Sequence, residues 1–395
     1  INFPSQAVSD LEKLSEEYGL KVARAIRHEW FNGATSKYNS HKNNFHTLRL
    51  YARGEQSIQK YKNELSINGD LSYLNLDWKP VPIIPKFVDI VVNGMAQRNY
   101  EINCFSQDEY GVSKRTEYME SLLRDMRAKN FDKIVQEQYD VDMKENDPEK
   151  LPGSEEELKL HMQLDYKQAV ELAEEQALNV LLEGSDYDLV RRRVLYDLTV
   201  LGIGATKTTF SFSDGAKAEY VDPGDLVYSY TESPYFDDIY YVGETKEIPI
   251  NELVKQFPKL TEEEIKTLVD KQGFRTDNVT NSDKNKVQVL YFNYKTHMNN
   301  VFKLKKLGSG AEKAIEKDDQ FNPPVESMDG NFERLERVVE TLYEGVYIVG
   351  ADKILKWKMC ENMMSTDSDF NRVKMNYQIV APRIYNGRIE SVVSR

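Results

Sequence analysis

The dominant spacing of apolar residues along this chain changes near residue 204. Before that point apolar residues recur at three- and four-residue intervals, as in helices with one buried face; after it they alternate, as in half-buried strands. A chain that runs helices first and strands later is not assembled from repeating βαβ units. We therefore expect an α+β fold, helix-rich over residues 1–203 and β-rich over 204–378. Its 395 residues suffice for about two or three cores of ordinary size.

In the helical part, residues 5–31 read as a helix, with Ser9 or Asp10 placed to cap it and Leu11, Leu14, Tyr18, Val22 and Ile26 on one face. The polar stretch Asn32 to Asn44 should end it, and a second helix is expected over roughly Arg53 to Leu65. Prolines 80, 82 and 85 within Trp78 to Pro85 exclude helix and central strand alike, which leaves an extended, rigid connection. Pro85 suits the first turn of a helix over Lys86 to Gln97, and Asn99 to Phe105 alternates like a strand. Residues 113–143 predict one long polar helix that turns Tyr118, Leu122, Met126 and Ile134 toward a partner, broken at Asp147 to Gly153. Ser154 and Glu157 form a capping box that should open a helix reaching Gly184, with Leu158, Met162, Ala169, Leu172, Ala173, Ala177 and Val180 along its stripe. Asp186 caps a further helix that stops at Gly202.

In the β-rich part, Thr206 to Ser213 and Lys217 to Val221 predict a hairpin around Ser213-Asp-Gly215, then an Asp222-Pro-Gly turn and strands near Val227 to Tyr230 and Ile239 to Val242. Short helices are expected at Glu252 to Phe257 and Thr261 to Lys271, the second with a Thr261/Glu264 capping box. Lys286 to Tyr294 and Val301 to Lys305 should pair with each other, and Val338 to Val349 with Lys353 to Met359 should continue the sheet. Residues 308–331, polar and carrying Gly308-Ser-Gly310 and Pro323-Pro324, read as a mobile surface insertion.

Charge and cysteine content narrow the function classes. Fifty-two Lys and Arg against 65 Asp and Glu leave a net charge of −13, so no global positive field draws the chain to nucleic acid or anionic lipid, and any DNA contact must be local. Cys104 and Cys360 lie far apart and form no CxxC, which indicates neither a disulfide framework nor a zinc module and fits a reducing compartment. The longest apolar runs, Val81 to Ile84 and Phe87 to Val92, fall well short of the roughly 20 residues of a bilayer span. The sequence opens on Ile and without a basic-then-apolar leader, so we expect a piece of a longer polypeptide.

Each motif with chemical potential has a simpler structural reading. Leu201-Gly-Ile-Gly-Ala-Thr-Lys-Thr208 carries a Lys-Thr after glycines, but a phosphate loop needs glycine where Leu201 and Thr206 stand, and needs a strand before it and a helix after. Of the histidines at 28, 41, 46, 161 and 297, only His41 and His46 are close, and their spacing does not stack them on one helix face; a solvated polar loop is expected there. Asp222-Pro-Gly-Asp225 has oxygens for a cation, yet a β-turn explains the same residues, and the acidic runs at 145–157 and 262–264 fit a linker and a helix start. Consecutive Arg191, Arg192 and Arg193 point about 100° apart on a helix and form no single phosphate clamp. Other basic residues, Lys303, Lys305 and Lys306 and then Arg383, Arg388 and Arg395, fit partner contacts better than DNA binding. No catalytic, cofactor-binding or metal-ligating residue is assigned, and residue chemistry points to a structural or interaction protein rather than an enzyme.

Five segments together resemble the portal proteins of tailed bacteriophages, most closely those of crAss-like phages of gut bacteria: Tyr51-Ala-Arg-Gly-Glu-Gln56, Leu76 to Gly94 through Trp78-Lys-Pro-Val-Pro-Ile-Ile-Pro85, Asp197 to Thr208, Glu219-Tyr-Val-Asp-Pro-Gly-Asp-Leu226, and Ile379-Val-Ala-Pro-Arg-Ile-Tyr-Asn-Gly387. The resemblance implies a homo-oligomeric ring, typically of twelve copies, at one capsid vertex of the virion, assembled in the bacterial host cytoplasm. Double-stranded DNA would pass along its axis during packaging and ejection. Implied partners are the major capsid protein, the packaging terminase and the tail adaptor or connector proteins; no cofactor is implied. Most of the chain would be the wing, residues 379–395 would enter a stem helix, and clip and crown would lie outside the sequence. Net negative charge is compatible with a pore that does not grip phosphates. The competing readings are a packaging nuclease or ATPase, which needs a phosphate loop or metal-binding carboxylates, and a monomeric scaffold or adaptor.

Overall fold

A computed structural model describes residues 2–394 except 33–35, 56–57, 66–81, 99, 140–151, 165, 212–214, 259, 262, 266, 268–285, 307–311, 320, 322–331, 362, 367–368 and 370. The fold is α+β, with helices mostly in the N-terminal half and strands in the C-terminal half. No described helix is long and apolar enough to cross a membrane. Two compact units cut the chain differently from its helical and β-rich halves: one takes Ile1–Arg98 with Asp188–Arg395, the other Asn99–Tyr187.

The first unit opens with two helices where one is expected over residues 5–31. Ser9 caps α1 (Asp10–Lys13), and Ser15, accepting from the Tyr18 N–H, caps α2 (Glu16–Phe31). Tyr18, Val22, Ile26 and Trp30, four residues apart, are buried, whereas Leu11 and Leu14 are exposed. The polar stretch expected to end the helix instead begins α3 (Lys37–Arg53), capped by Ser36. Its inward face is Tyr38, Phe45 and Ala52, with His41 and Leu48 between them, while Asn39, Ser40, Asn43 and Asn44 face out. Gly54 stops α3 at φ +76°, and Pro82 occupies the space a side chain at 54 would need. After α4 (Gln59–Leu65), α5 (Ile84–Ala96) carries Pro85 in its first turn as expected and buries Val88 and Val92. Trp78 and Pro80 lie outside the described residues.

The second unit is helical. In α6 (Glu109–Tyr139), Leu122 is buried with Tyr118 and Met126 beside it, against Leu158 and Met162 of α7 (Glu155–Leu164). The capping box at Ser154 forms with one change: Glu157 accepts from the Gly153 N–H, at 2.6 Å, rather than from that of Ser154. The helix expected from 154 to 184 is two, because Gln168 and Glu171 cap a second start, α8 (Ala169–Gly184). Its stripe is inverted. Leu172 and Val180 are exposed, while Glu171 is fully buried, accepting from the backbone of Gln168 and Ser106; Glu175 accepts from Cys104. Those bonds hold residues 100–107, which include all but Asn99 of the strand expected over 99–105, as an irregular segment along α8.

The first unit resumes with α9 (Tyr187–Val200), which stops at Gly202, φ +82°, and feeds β1 (Gly204–Ser211) and β2 (Gly215–Tyr220), the expected hairpin. Then β3 (Leu226–Tyr228), β4 (Tyr241–Pro249), β5 (Lys286–Lys306), β7 (Phe332–Ile348) and β8 (Lys353–Met359) form an antiparallel sheet in that order. The expected pair 286–294 and 301–305 is one 21-residue strand, β5, whose partner is β7 from Val289↔Ile348 to Lys305↔Phe332. Within the expected mobile insertion 308–331, β6 (Glu312–Lys317) pairs with Val301–Lys306, and Arg334 donates to the Asp319 carbonyl at 3.1 Å. A helix α10 (Ile250–Gln256) packs Leu253 against Val287, Val289 and Ile348.

Helices α2 and α3 cover the other face, where the core is aromatic: Trp30 donates to the Tyr228 carbonyl (3.2 Å) and Tyr241 hydroxyl (3.0 Å), and Trp357 stacks on Tyr343 over Gly19. Truncating a side chain as buried as Trp30 costs about 3–5 kcal/mol. A short pair, β9 (Met364–Ser365) and β10 (Val373–Lys374), precedes β11 (Tyr377–Val380), which returns to pair with β1. The entry to a stem helix at 379–395 is corrected: β12 (Ile384–Tyr385) and β13 (Arg388–Ile389) form a hairpin. Asn386 and Gly387, both at positive φ, make the two-residue turn that matches strand twist and cannot continue a helix.

Candidate functional site

Three helices and one turn enclose a cleft of about 520 Å³ in the first unit. Arg49 and Arg53 reach it from one face of α3, Asp89, Val92 and Asn93 from α5, and Leu189, Arg192, Arg193, Tyr196 and Asp197 from α9. Each set recurs at helical three- and four-residue spacing, which is why residues so far apart in sequence share one wall. Tyr220, ending β2, and Asp222, opening the turn, close the floor.

The floor is a closed ion network. Arg49 donates to both oxygens of Asp222, at 2.8 and 2.9 Å, and to Asp197 at 3.3 Å. Asp197 is buried and also accepts from the Tyr220 hydroxyl. Burial raises the Asp197 carboxyl, against the opposing pull of Tyr220 and Arg49. Burial also acts to raise Asp222, but Arg49 and the Gly224 N–H outweigh it and hold that carboxyl below its usual range. The Tyr220 phenol is pushed up by burial and by the Asp197 charge. An ionised pair of this kind, fixed by a two-pronged guanidinium, locks the α3–α9–turn junction.

Asp222-Pro-Gly-Asp225 is the turn, as the sequence allows: the Asp222 side chain accepts from the Gly224 N–H at 2.8 Å, and Asp225 accepts from Tyr38 and Lys42, each at 2.9 Å. Both carboxylates considered for a cation therefore accept from protein donors. Among the described residues no group of three or more His, Cys, Asp and Glu is arranged to hold a metal ion.

His41 is not in a solvated loop, which corrects the sequence expectation. It sits on α3 with ring centroids 4.2 Å from Phe45, 5.8 Å from Trp30 and 6.1 Å from Tyr228, and its Nε2 lies 3.1 Å from the Pro223 carbonyl. A carbonyl only accepts, so Nε2 carries the proton. Burial pushes the imidazole down to about 4, so it is neutral at pH 7. His46 is exposed on the same helix.

The glycine segment behaves as a helix stop and strand start. Gly202 faces the Glu390 backbone, and Lys207 on β1 donates to the buried Glu244 of β4 at 3.0 Å, so its ammonium is committed between the two sheets. Of the arginine triplet, Arg191 donates to the Arg98 carbonyl, while Arg192 and Arg193 both reach the cleft and Arg193 lies 5.5 Å over the Tyr220 ring. The sequence expectation of three divergent arginines misses that two of them line the same cleft as Arg49 and Arg53 of another helix. The signal was present as i, i+4 spacing at 49 and 53, but the polar reading of 32–44 hid the helix that carries it. Lys303, Lys305, Arg383 and Arg388 lie elsewhere, on β5 and around the C-terminal hairpin. No protein-family model matches the chain, and a search of curated proteins returns no relative.

Proposed function

We propose that the chain is a portal subunit of a tailed bacteriophage: a non-enzymatic protein that closes with copies of itself into a ring, typically of twelve, at one capsid vertex, through which double-stranded DNA is packaged and ejected. One observation carries the reading. The described residues of the five segments on which the resemblance rests, scattered between residues 51 and 387, all belong to the first compact unit. Arg53, Asp89, Asp197, Tyr220 and Asp222, from four of them, line a single cleft. The fifth pairs with the third, Gly204↔Val380 and Ala205↔Ile379.

The mechanism is geometric. Heterologous side-to-side contacts between identical subunits generate a ring when the rotation per subunit closes. The Arg49 network and the six-stranded sheet supply a stiff body for such contacts, and Phe87, Ile90 and Val91 on α5 remain exposed as apolar surface. In the virion the ring would meet capsid protein, terminase and tail adaptors in turn. Electron microscopy of the purified protein tests the reading: annular particles with a central hole support it, and uniformly small particles at high concentration overturn it.

A further inference from the structure

The cleft between α3, α5 and α9 holds more positive charge than its own carboxylates use. Arg49 is committed to Asp222 and Asp197. Neither Arg53 nor Arg192 makes a hydrogen bond or ion pair with a described residue, and both are exposed and line the cleft. Arg193 keeps its guanidinium over the Tyr220 ring, and Asp89 is the remaining carboxylate of the lining. Three arginines besides Arg49 thus line one concavity in a chain whose net charge is −13.

A planar guanidinium presents paired N–H donors that match two oxygens of one phosphate, and such charge-assisted bonds are among the strongest a protein makes. The cleft, about 520 Å³, is of small-molecule size and too large to be filled by one phosphate ion. The fixed Arg49–Asp222 pair forms a floor that does not need to rearrange when a ligand enters. We propose that this cleft binds a small anion carrying two or more phosphate groups, held by Arg53, Arg192 and Arg193. The proposal goes beyond the ring reading and stands without it.

Calorimetric titration of the full chain with pyrophosphate, at constant ionic strength, tests this. The expected result is saturable one-to-one binding, weaker uptake of inorganic phosphate, and at least about tenfold weaker pyrophosphate binding in an Arg53→Gln/Arg192→Gln variant. Both side chains are exposed, so the variant should keep the parent melting temperature, measured alongside. Asp89→Asn, which removes the local repulsion, should tighten binding. Absence of saturable binding, or equal affinity in parent and double variant, overturns the proposal. So does a double variant that assembles less while pyrophosphate binds neither protein, because the cleft would then receive carboxylates from a second copy.

Discussion

Acidification should destabilise the protein through the buried His41. The ring is packed among Trp30, Phe45 and Tyr228, with Lys37 and Asp222 the charged groups acting on it from α3 and the turn, and its folded-state pKa lies at about 4 against 6.5 for the free side chain. Between those values the unfolded chain binds more protons than the folded one. Stability that is fully present above pH 6.5 is therefore lost as pH falls toward 4. The loss amounts to about 1.4 kcal/mol by pH 5.5 and about 3 kcal/mol by pH 4. Urea unfolding at pH 7.5, 6.5, 5.5 and 4.5 would be compared between the parent and His41→Gln, whose amide can still donate to the Pro223 carbonyl but does not titrate. Every other group cancels in the difference between the two proteins. That difference should shrink steadily below pH 6.5. Parallel stability curves for the two proteins would refute the burial of a neutral His41.

Three further outcomes follow from particular contacts. Gly345 on β7 faces Phe292 on β5, and a Cβ at 345 would overlap the tip of that ring; Gly345→Ala should cost about 1–3 kcal/mol in urea unfolding, partly recovered by adding Phe292→Leu. Arg49→Gln leaves Asp197 buried without its cation and should cost about 3 kcal/mol, while adding Asp197→Asn should restore part of it, a non-additivity that a double-mutant cycle measures directly. Pro82→Ala with Pro85→Ala loosens the entry to α5 against Gly54; a fall of about 0.5–1 kcal/mol in stability and a lower yield of assembled protein are expected, and unchanged assembly by gel filtration would count against a rigid connection there.

Much of this architecture is legible in the sequence because the signals are local. The period change near 204, Pro85 in a first turn, Gly202 as a helix stop and the Thr261/Glu264 box each depend on a few adjacent residues, and both arms of that box form, at 3.4 and 2.9 Å. Where the decisive partner is distant, reading fails. α3 is missed because its inward face is built from Tyr38, His41 and Phe45, which hydropathy counts as half polar, and their burial needs Trp30 and Tyr228. The α8 stripe is inverted because Glu171 and Glu175 cap the backbone of residues 104 and 106, contacts no periodicity reveals. The C-terminal hairpin is a different case, since Asn386-Gly387 is a local turn signal that the family expectation of a stem helix overrode. The cleft escaped sequence reasoning for the first reason: its arginines come from two helices some 140 residues apart, and only the fold sums them.

The claim on which the account rests is that this chain acts by closing against copies of itself. Sedimentation velocity of the purified protein across a hundredfold concentration range measures it most directly. A ring of twelve 45.8 kDa chains predicts one closed species of about 550 kDa with nothing larger in the series. A boundary that stays at the mass of a single chain, or a ladder that keeps growing with concentration, would contradict it.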